Sequence, residues 1–398
     1  MNSRIENERL VIELAGRIDT SNASQVESEI ESIISANKGL TPAFDAEKLD
    51  YISSIGLRIL LKVAKTCGQK IQVLNASKDV YEIFDTTGFT NILDVQKALR
   101  QISVEGCELL GKGGNGSVYR LDDDKIVKVY KPWMKRETID QERAFARNAF
   151  MNGVPSVIAY DLVRCGDCYG VVFELIKSKT LGQTIKENPD KLEEYVDKYV
   201  ALAKQLHSVH VEPGTFTDLK KVLHQRVPKI AQWTSQEERD LLESLIDCIP
   251  DTDTLIHNDL HPGNIMIQDG ELLLIDMPEM CNGPTAYDLV GIYRDMIVAP
   301  SGNSANHIEA SVGLPADKVM QVGNMFFAKY TGISNPEEME AYYKKLGLLF
   351  AFNVSLVVGT ESENAMKLAP MLMDKLLRGV VIPNEQALRY LLSNLNSF

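Results

Sequence analysis

His257-Asn258-Asp259-Leu260-His261-Pro262-Gly263-Asn264, followed by the apolar run Leu272-Leu273-Leu274-Ile275 that ends on Asp276, is the stretch from which the rest of this 398-residue chain can be read. Pro262 and Gly263 force an irregular loop, so Asp259 and Asn264 can turn toward one point. Asp276 reaches the same point from the end of the next strand. A carboxylate to orient a hydroxyl, with an amide oxygen and a second carboxylate to hold Mg²⁺ on phosphates, is the set that phosphoryl transfer requires. Asp259 fits the first role, and Asn264 and Asp276 fit the metal roles. Asn and Asp are also ordinary turn residues, and it is the complete spacing that favours the chemical reading.

A phosphate donor needs a second constellation, and one lies upstream. Gly111-Lys112-Gly113-Gly114-Asn115-Gly116-Ser117-Val118 sits between two strand-like runs, Cys107 to Leu110 and Ser117 to Leu121. Gly111, Gly113, Gly114 and Gly116, with Asn115 and Ser117, would let backbone N–H groups come close to phosphate oxygens. The loop lacks the Gly-Lys-Ser/Thr ending of a P-loop, and a flexible hairpin tip has the same composition. After Asp122-Asp123-Asp124 comes the strand Lys125 to Tyr130, whose alternation puts Ile126, Lys128 and Tyr130 on one face. Lys128 then points beneath the glycine loop. Glu142, on a helix predicted from about Glu137 to Met151, is its expected ion-pair partner; the competing partners on that helix are Arg143 and Arg147.

Residues from about 104 to 398 resemble the aminoglycoside phosphotransferase and choline kinase family, a branch of the protein-kinase-like fold. The resemblance rests on the glycine loop, Lys128 in Ile126-Val127-Lys128-Val129, Glu142, the loop around Asp259, and Ile275-Asp276-Met277-Pro278-Glu279. It implies a bilobal α+β fold, with ATP and Mg²⁺ as cofactors. Lys128 would lie on the ATP phosphates with Glu142 orienting it, Asp259 would be the catalytic base, and Asn264 and Asp276 the magnesium ligands. His257 would be a structural member of the loop. Phe173-Glu174-Leu175-Ile176 resembles the hinge, where the backbone of Glu174 and Ile176 would hold adenine. Tyr287-Asp288-Leu289 resembles the helix start behind the catalytic loop, with Asp288 an anchor or N-cap. Met277-Pro278 stands where protein kinases carry Phe-Gly, which favours the small-molecule branch.

The first hundred residues alternate strand and helix: Leu10 to Ala15, Ser24 to Ala36, Thr41 to Phe44, Ile55 to Thr66, Ile71 to Leu74 and Lys78 to Thr86. The turn Asp50-Tyr51-Ile52-Ser53-Ser54-Ile55-Gly56-Leu57 within them resembles the STAS domain of anti-sigma factor antagonists, whose turn of this type carries a regulatory phosphoserine. Aligned on Gly56, the modified position is Ile55, which accepts no phosphate. Ser53 and Ser54 are the remaining possible acceptors, and both are also natural helix N-caps. The expected organisation is an α/β two-domain chain: a STAS-type mixed sheet with helices over 1–102, then kinase-like lobes over 103–178 and 179–398. The join near Gln96 to Gly106 is expected to be the end of a helix that runs into the next strand.

Composition agrees with two ordinary globular domains, at 44% hydrophobic and 24% charged residues. The net charge of −13 argues against a nucleic-acid surface. Only −2 of it falls in residues 1–100, so an acidic second domain would suit a cationic acceptor. Met1-Asn2-Ser3-Arg4-Ile5-Glu6 lacks the apolar core of a secretion signal, and the apolar stretch Leu346 to Val358 is too short to span a bilayer. A cytoplasmic protein with no membrane partner is expected. Cys165-Gly166-Asp167-Cys168 has the spacing of half a zinc site, but Gly-Asp between two strands reads as a hairpin turn. His207 and His210 read as surface or satisfied core residues.

Three functions are compatible with this pattern. The first is an ATP- and Mg²⁺-dependent transferase acting on a hydroxyl of a small molecule, with STAS as a regulatory or docking module for a protein partner. The second is a protein kinase or autokinase acting on a serine. The third is a non-enzymatic ATP-sensing regulator. Glu279, Glu361 and Glu363 are the carboxylates that could line an acceptor pocket.

Overall fold

A computed structural model describes residues 1–6, 9–302, 304–357 and 363–398, with backbone only at 363–365 and 397. The chain divides into two compact units, Met1–Ser103 with Val163–Gly166, and Val104–Leu162 with Asp167–Phe398.

In the first unit the strands β1 (Ser3–Glu6), β2 (Arg9–Ile18), β3 (Thr41–Ile52), β4 (Gln72–Ala76) and β5 (Asp94–Lys97) lie side by side in chain order. β1 is antiparallel to β2 and the later neighbours are parallel, so the sheet is mixed. Helices α1 (Ala23–Ala36), α2 (Ser54–Cys67) and α3 (Lys78–Thr86) make the crossovers. Leu10, Ile12 and Leu14 of β2, Phe44 of β3 and Val73 of β4 pack with Leu57 and Leu60 of α2 and Phe84 of α3 in one core. Gly56 is required at the start of α2, because a Cβ there would stand 2.7 Å from Ile52 Cγ1 and 2.8 Å from Ile18 Cγ2.

The expected helix at the join is corrected. Asp94–Lys97 is a strand and β6 (Arg100–Ile102) comes after it. Val95 pairs with Val73, and the Asp94 and Ala98 amides donate to Ile71 O at 3.0 Å and Ala76 O at 2.7 Å. The open edge of β4 thus offers these amides and carbonyls partners that an isolated helical turn could not supply.

The second unit begins with β7 (Leu109–Lys112), β8 (Gly116–Arg120), β9 (Lys125–Tyr130), α4 (Arg136–Met151), β10 (Ala159–Cys165, whose last three residues count with the first unit) and β11 (Cys168–Glu174). These strands lie in the order β10-β11-β9-β8-β7. Gly166, at φ 58°, turns the chain between β10 and β11. The remainder of this unit is mostly helical, with Leu192–His207, Ala316–Thr331 and Pro336–Val357 the long helices. The expected core run from Leu346 lies inside Pro336–Val357, and Val358 falls outside the described residues. Among the described residues no helix is long and apolar enough to cross a membrane.

Candidate active site

Lys128 stands in the middle of β9, where register places it opposite Val118 of β8 and Val171 of β11. Its Nζ donates to Glu142 Oε1 at 2.7 Å and to Asp276 Oδ1 at 2.8 Å. Glu142 is 4% exposed, and a carboxyl so buried needs a polar partner such as this one. Arg143 instead turns to Asp140, at 3.3 Å. Burial works against the charge on Lys128, but the carboxylates of Asp276 and Glu142 outweigh it and raise the ammonium above its ordinary 10.5. For Asp276, desolvation in the cleft pushes the carboxyl up, and the Lys128 ammonium more than reverses this, leaving it below its ordinary 3.8.

The loop carrying Asp259 connects the short strand Leu255–Ile256 to the hairpin Ile265–Gln268/Glu271–Leu274. Asn258 (φ 66°) and Asp276 (φ 59°) both adopt the left-handed conformation, which Asn and Asp tolerate better than most residues. Asp288 holds the loop from behind. Fully buried, it accepts from the His257 amide at 2.9 Å and the Asn258 amide at 2.5 Å. Its Oδ2 also lies 3.0 Å from His207 Nε2, and His207 Nδ1 is 2.7 Å from the Tyr330 hydroxyl. Of the two roles expected for Asp288, the N-cap is corrected: Thr285 precedes helix Ala286–Tyr293, and Asp288 lies inside it. His207 is a bonded core residue, whereas His210 is exposed and pairs with Asp253.

At the front of the loop, Asn264 Nδ2 donates to Asp259 Oδ2 at 2.9 Å and to Asp259 O at 3.0 Å. With the nitrogen so engaged, Oδ1 is the Asn264 atom able to ligate a cation. Arg294, which the sequence reading did not single out, donates to Asp259 Oδ1 at 3.3 Å and to Asp295 Oδ2 at 2.7 Å. The signal was an Arg-Asp pair interrupting the apolar run Leu289 to Val298, where charges must find partners.

The glycine loop closes through a hydrogen bond from the Gly113 amide to Gly116 O at 2.8 Å. A Cβ at Gly116 would stand 2.4 Å from Val129 O, whereas one at Gly111 or Gly114 would meet nothing within 4 Å. Gly116 therefore serves the sheet, whereas a side chain at Gly111 or Gly114 would enter open space. In the expected hinge, the Glu174 amide donates to Ile158 O at 3.1 Å and the Leu175 amide to Asp124 O at 2.8 Å. The Glu174 N–H is thus already engaged and does not reach a base. Ser53 caps α2, accepting from the Gly56 amide at 3.5 Å, and Ser54 is the exposed first residue of that helix. Glu279 lies 3.6 Å from Arg226, Glu361 lies outside the described residues, and of Glu363 only the backbone is described.

Residues 106–317 match the phosphotransferase enzyme family. The chain belongs to that family. Residues 1–102 match the STAS domain. Over 89 residues the chain is 34% identical to BtrV, a candidate anti-sigma factor antagonist of Bordetella bronchiseptica (strain ATCC BAA-588 / NCTC 13252 / RB50), covering 22% of this chain and 76% of BtrV. Among solved structures, the streptomycin-ATP-APH(2")-IIa ternary complex is similar at 17% identity and a TM-score of 0.44, covering 75% of this chain and 97% of that one. A choline/ethanolamine kinase family protein from Mesorhizobium loti is similar at 15% identity and a TM-score of 0.43, covering 73% of this chain and 92% of that one. This phosphotransferase is therefore a two-domain α/β protein, with a STAS domain ahead of the phosphotransferase domain.

Proposed function

We propose that this phosphotransferase moves the γ-phosphate of ATP, with Mg²⁺, to a hydroxyl of a small molecule. The observation that carries the reading is the meeting of Lys128 with Glu142 and Asp276, which brings β9, α4 and the segment after the catalytic hairpin to one point. When bound, ATP and Mg²⁺ supply the phosphoryl group and offset its charge. Lys128, fixed by Glu142, is positioned for phosphate oxygens. Asn264 Oδ1 and the Asp276 carboxylate would hold the cation. Two protein oxygens suit Mg²⁺, which takes its other ligands from phosphates and water. The loop of Gly111, Gly113, Gly114, Asn115, Gly116 and Ser117 would cradle the phosphates, and the backbone of Glu174 and Ile176 would meet adenine. Asp259 would orient the acceptor hydroxyl and take its proton, with Asn264 and Arg294 fixing the carboxylate.

The Arg294 guanidinium beside Asp259 sets a cation at the place where the acceptor must bind. Acidic steering toward a cationic acceptor would thus act from the wider surface and not from this contact. The STAS domain supports a docking role for a protein partner, and a cytoplasmic location fits that role.

Intact-mass spectrometry and ADP release, measured on one sample with ATP, Mg²⁺ and a panel of amino-alcohols and aminoglycosides, test the reading. Acceptor-dependent ADP release without gain of protein mass is expected. Asp259→Ala should lower it by about 10²- to 10⁴-fold while ATP binding persists. Asp259-dependent phosphate on the protein would move the function to an autokinase and the search to Ser53 and Ser54. Binding of ATP with neither product would leave a nucleotide-sensing regulator.

A further inference from the structure

A cavity of about 720 Å³ opens where the helices Ala316–Thr331, Pro336–Val357 and Glu385–Ser393 meet, and none of Lys128, Asp259, Asn264 or Asp276 lines it. Its volume lies in the range of small-molecule sites, roughly 300–1,000 Å³. Four aromatic rings, Tyr330, Tyr342, Tyr390 and Phe398, form much of the wall, and Lys345 stands among them.

Three features mark this wall as more than a packing gap. Tyr390 is 75% exposed, a large ring left to water where burial would be favourable. The buried Tyr342 hydroxyl has no hydrogen-bond partner. Lys345 makes no ion pair among the described residues, although its neighbour Lys344 pairs with Glu340 at 2.8 Å. The adjacent stripe of the same helix faces elsewhere: the Tyr343 hydroxyl donates to Asn324 at 2.8 Å and its ring lies 5.5 Å from that of Tyr293. The cavity is therefore distinct from the packing around Tyr293 and Arg294.

Tyr330 belongs to both regions. It lines the cavity, and its hydroxyl lies 2.7 Å from His207, which lies 3.0 Å from Asp288, which accepts from the His257 amide at 2.9 Å. Three hydrogen bonds thus separate the cavity wall from the loop that carries Asp259.

We propose that this cavity is a regulatory site for a planar aromatic carboxylate, with its ring among the tyrosines and Phe398 and its carboxylate on Lys345. The sign of Lys345 selects an anion over the organic cations that aromatic walls otherwise favour. Occupancy would bear on Tyr330 and so stiffen the catalytic loop through His207 and Asp288.

Calorimetric titration of the full chain with 2-naphthoate, and with 2-naphthamide as its uncharged counterpart, tests the site without reference to turnover. Saturable binding of the acid is expected, with about three- to tenfold weaker binding for the amide, for Lys345→Ala and for Tyr390→Ala. Both substitutions are at exposed positions and should leave the fold intact. Hydrogen exchange of the His257 and Asn258 amides should slow several-fold on saturation, and Tyr330→Phe should remove that response while leaving binding. Absence of saturable binding, or binding indifferent to Lys345→Ala and Tyr390→Ala, would overturn the site. Unchanged exchange at His257 and Asn258 would overturn its regulatory role.

Discussion

Asp288 and Asp276 show how much one carboxylate can decide. Asp288 gives two loop amides their acceptor in the interior, so Asp288→Ala leaves both unpaired. It should lower stability by roughly 2–5 kcal/mol in urea unfolding, well beyond the loss of about 1 kcal/mol typical of an N-cap. Asp276 has a depressed pKa, so its contribution to stability is present above the unfolded value of about 4 and is lost as pH falls through the folded value. Below about pH 4, unfolding midpoints of the wild type should therefore fall more steeply than those of Asp276→Asn. Equal slopes would show that Lys128 does not hold this carboxylate charged. With 47% of the Asp276 side chain accessible, screening keeps the effect modest. Lys128 and Glu142 could be paired from sequence because strand alternation and helix position suffice to aim them, whereas the contact of Lys128 with Asp276 joins residues 148 apart and appears only in the structure. Asp288 was legible as a helix-start residue, but which amides it would face depends on a loop 30 residues away.

Between elements, the glycines separate scaffold from site. A Cβ on Gly263 would lie 2.0 Å from Ser311 O, so helix Ala305–Val312 packs directly on the loop that carries Asp259. Gly263→Ala must displace one of them, at a cost of about 1–3 kcal/mol, and should lower turnover more than tenfold because Asn264 moves with it. Gly114→Ala meets open space. Its melting temperature should stay near that of wild type while ATP binding weakens several-fold in calorimetry; a destabilised protein with unchanged ATP affinity would assign the loop a purely structural role. Strand and helix periods revealed most elements of both domains, including β9 and α3 over the expected residues. The join misled because Asp94–Lys97 is too short for its period to outweigh a helical reading, and its strand character comes from the pairing of Val95 with Val73.

At the scale of the whole molecule, the first domain carries its own core, formed by side chains between Leu10 and Val95. A chain of residues 1–103 should therefore fold alone, with a cooperative thermal transition and dispersed amide resonances; a spectrum lacking dispersion would show that this core needs residues beyond it. The family matches place the functional division close to the same boundary, with STAS over residues 1–102 and the phosphotransferase domain from residue 106.

The chain by itself pointed to a phosphotransferase behind a STAS domain and to Lys128, Glu142, Asp259, Asn264 and Asp276 as its candidate site residues, because each rests on local spacing or on a strand's alternation. Tertiary structure alone decided that Asp276 shares Lys128 with Glu142, that Arg294 stands on Asp259, and that Tyr330 and His207 reach the loop carrying Asp259 through Asp288. Those contacts join helices and loops far apart in sequence. Their pairing is set by packing and by the need to satisfy buried charges and amides, which no local period encodes.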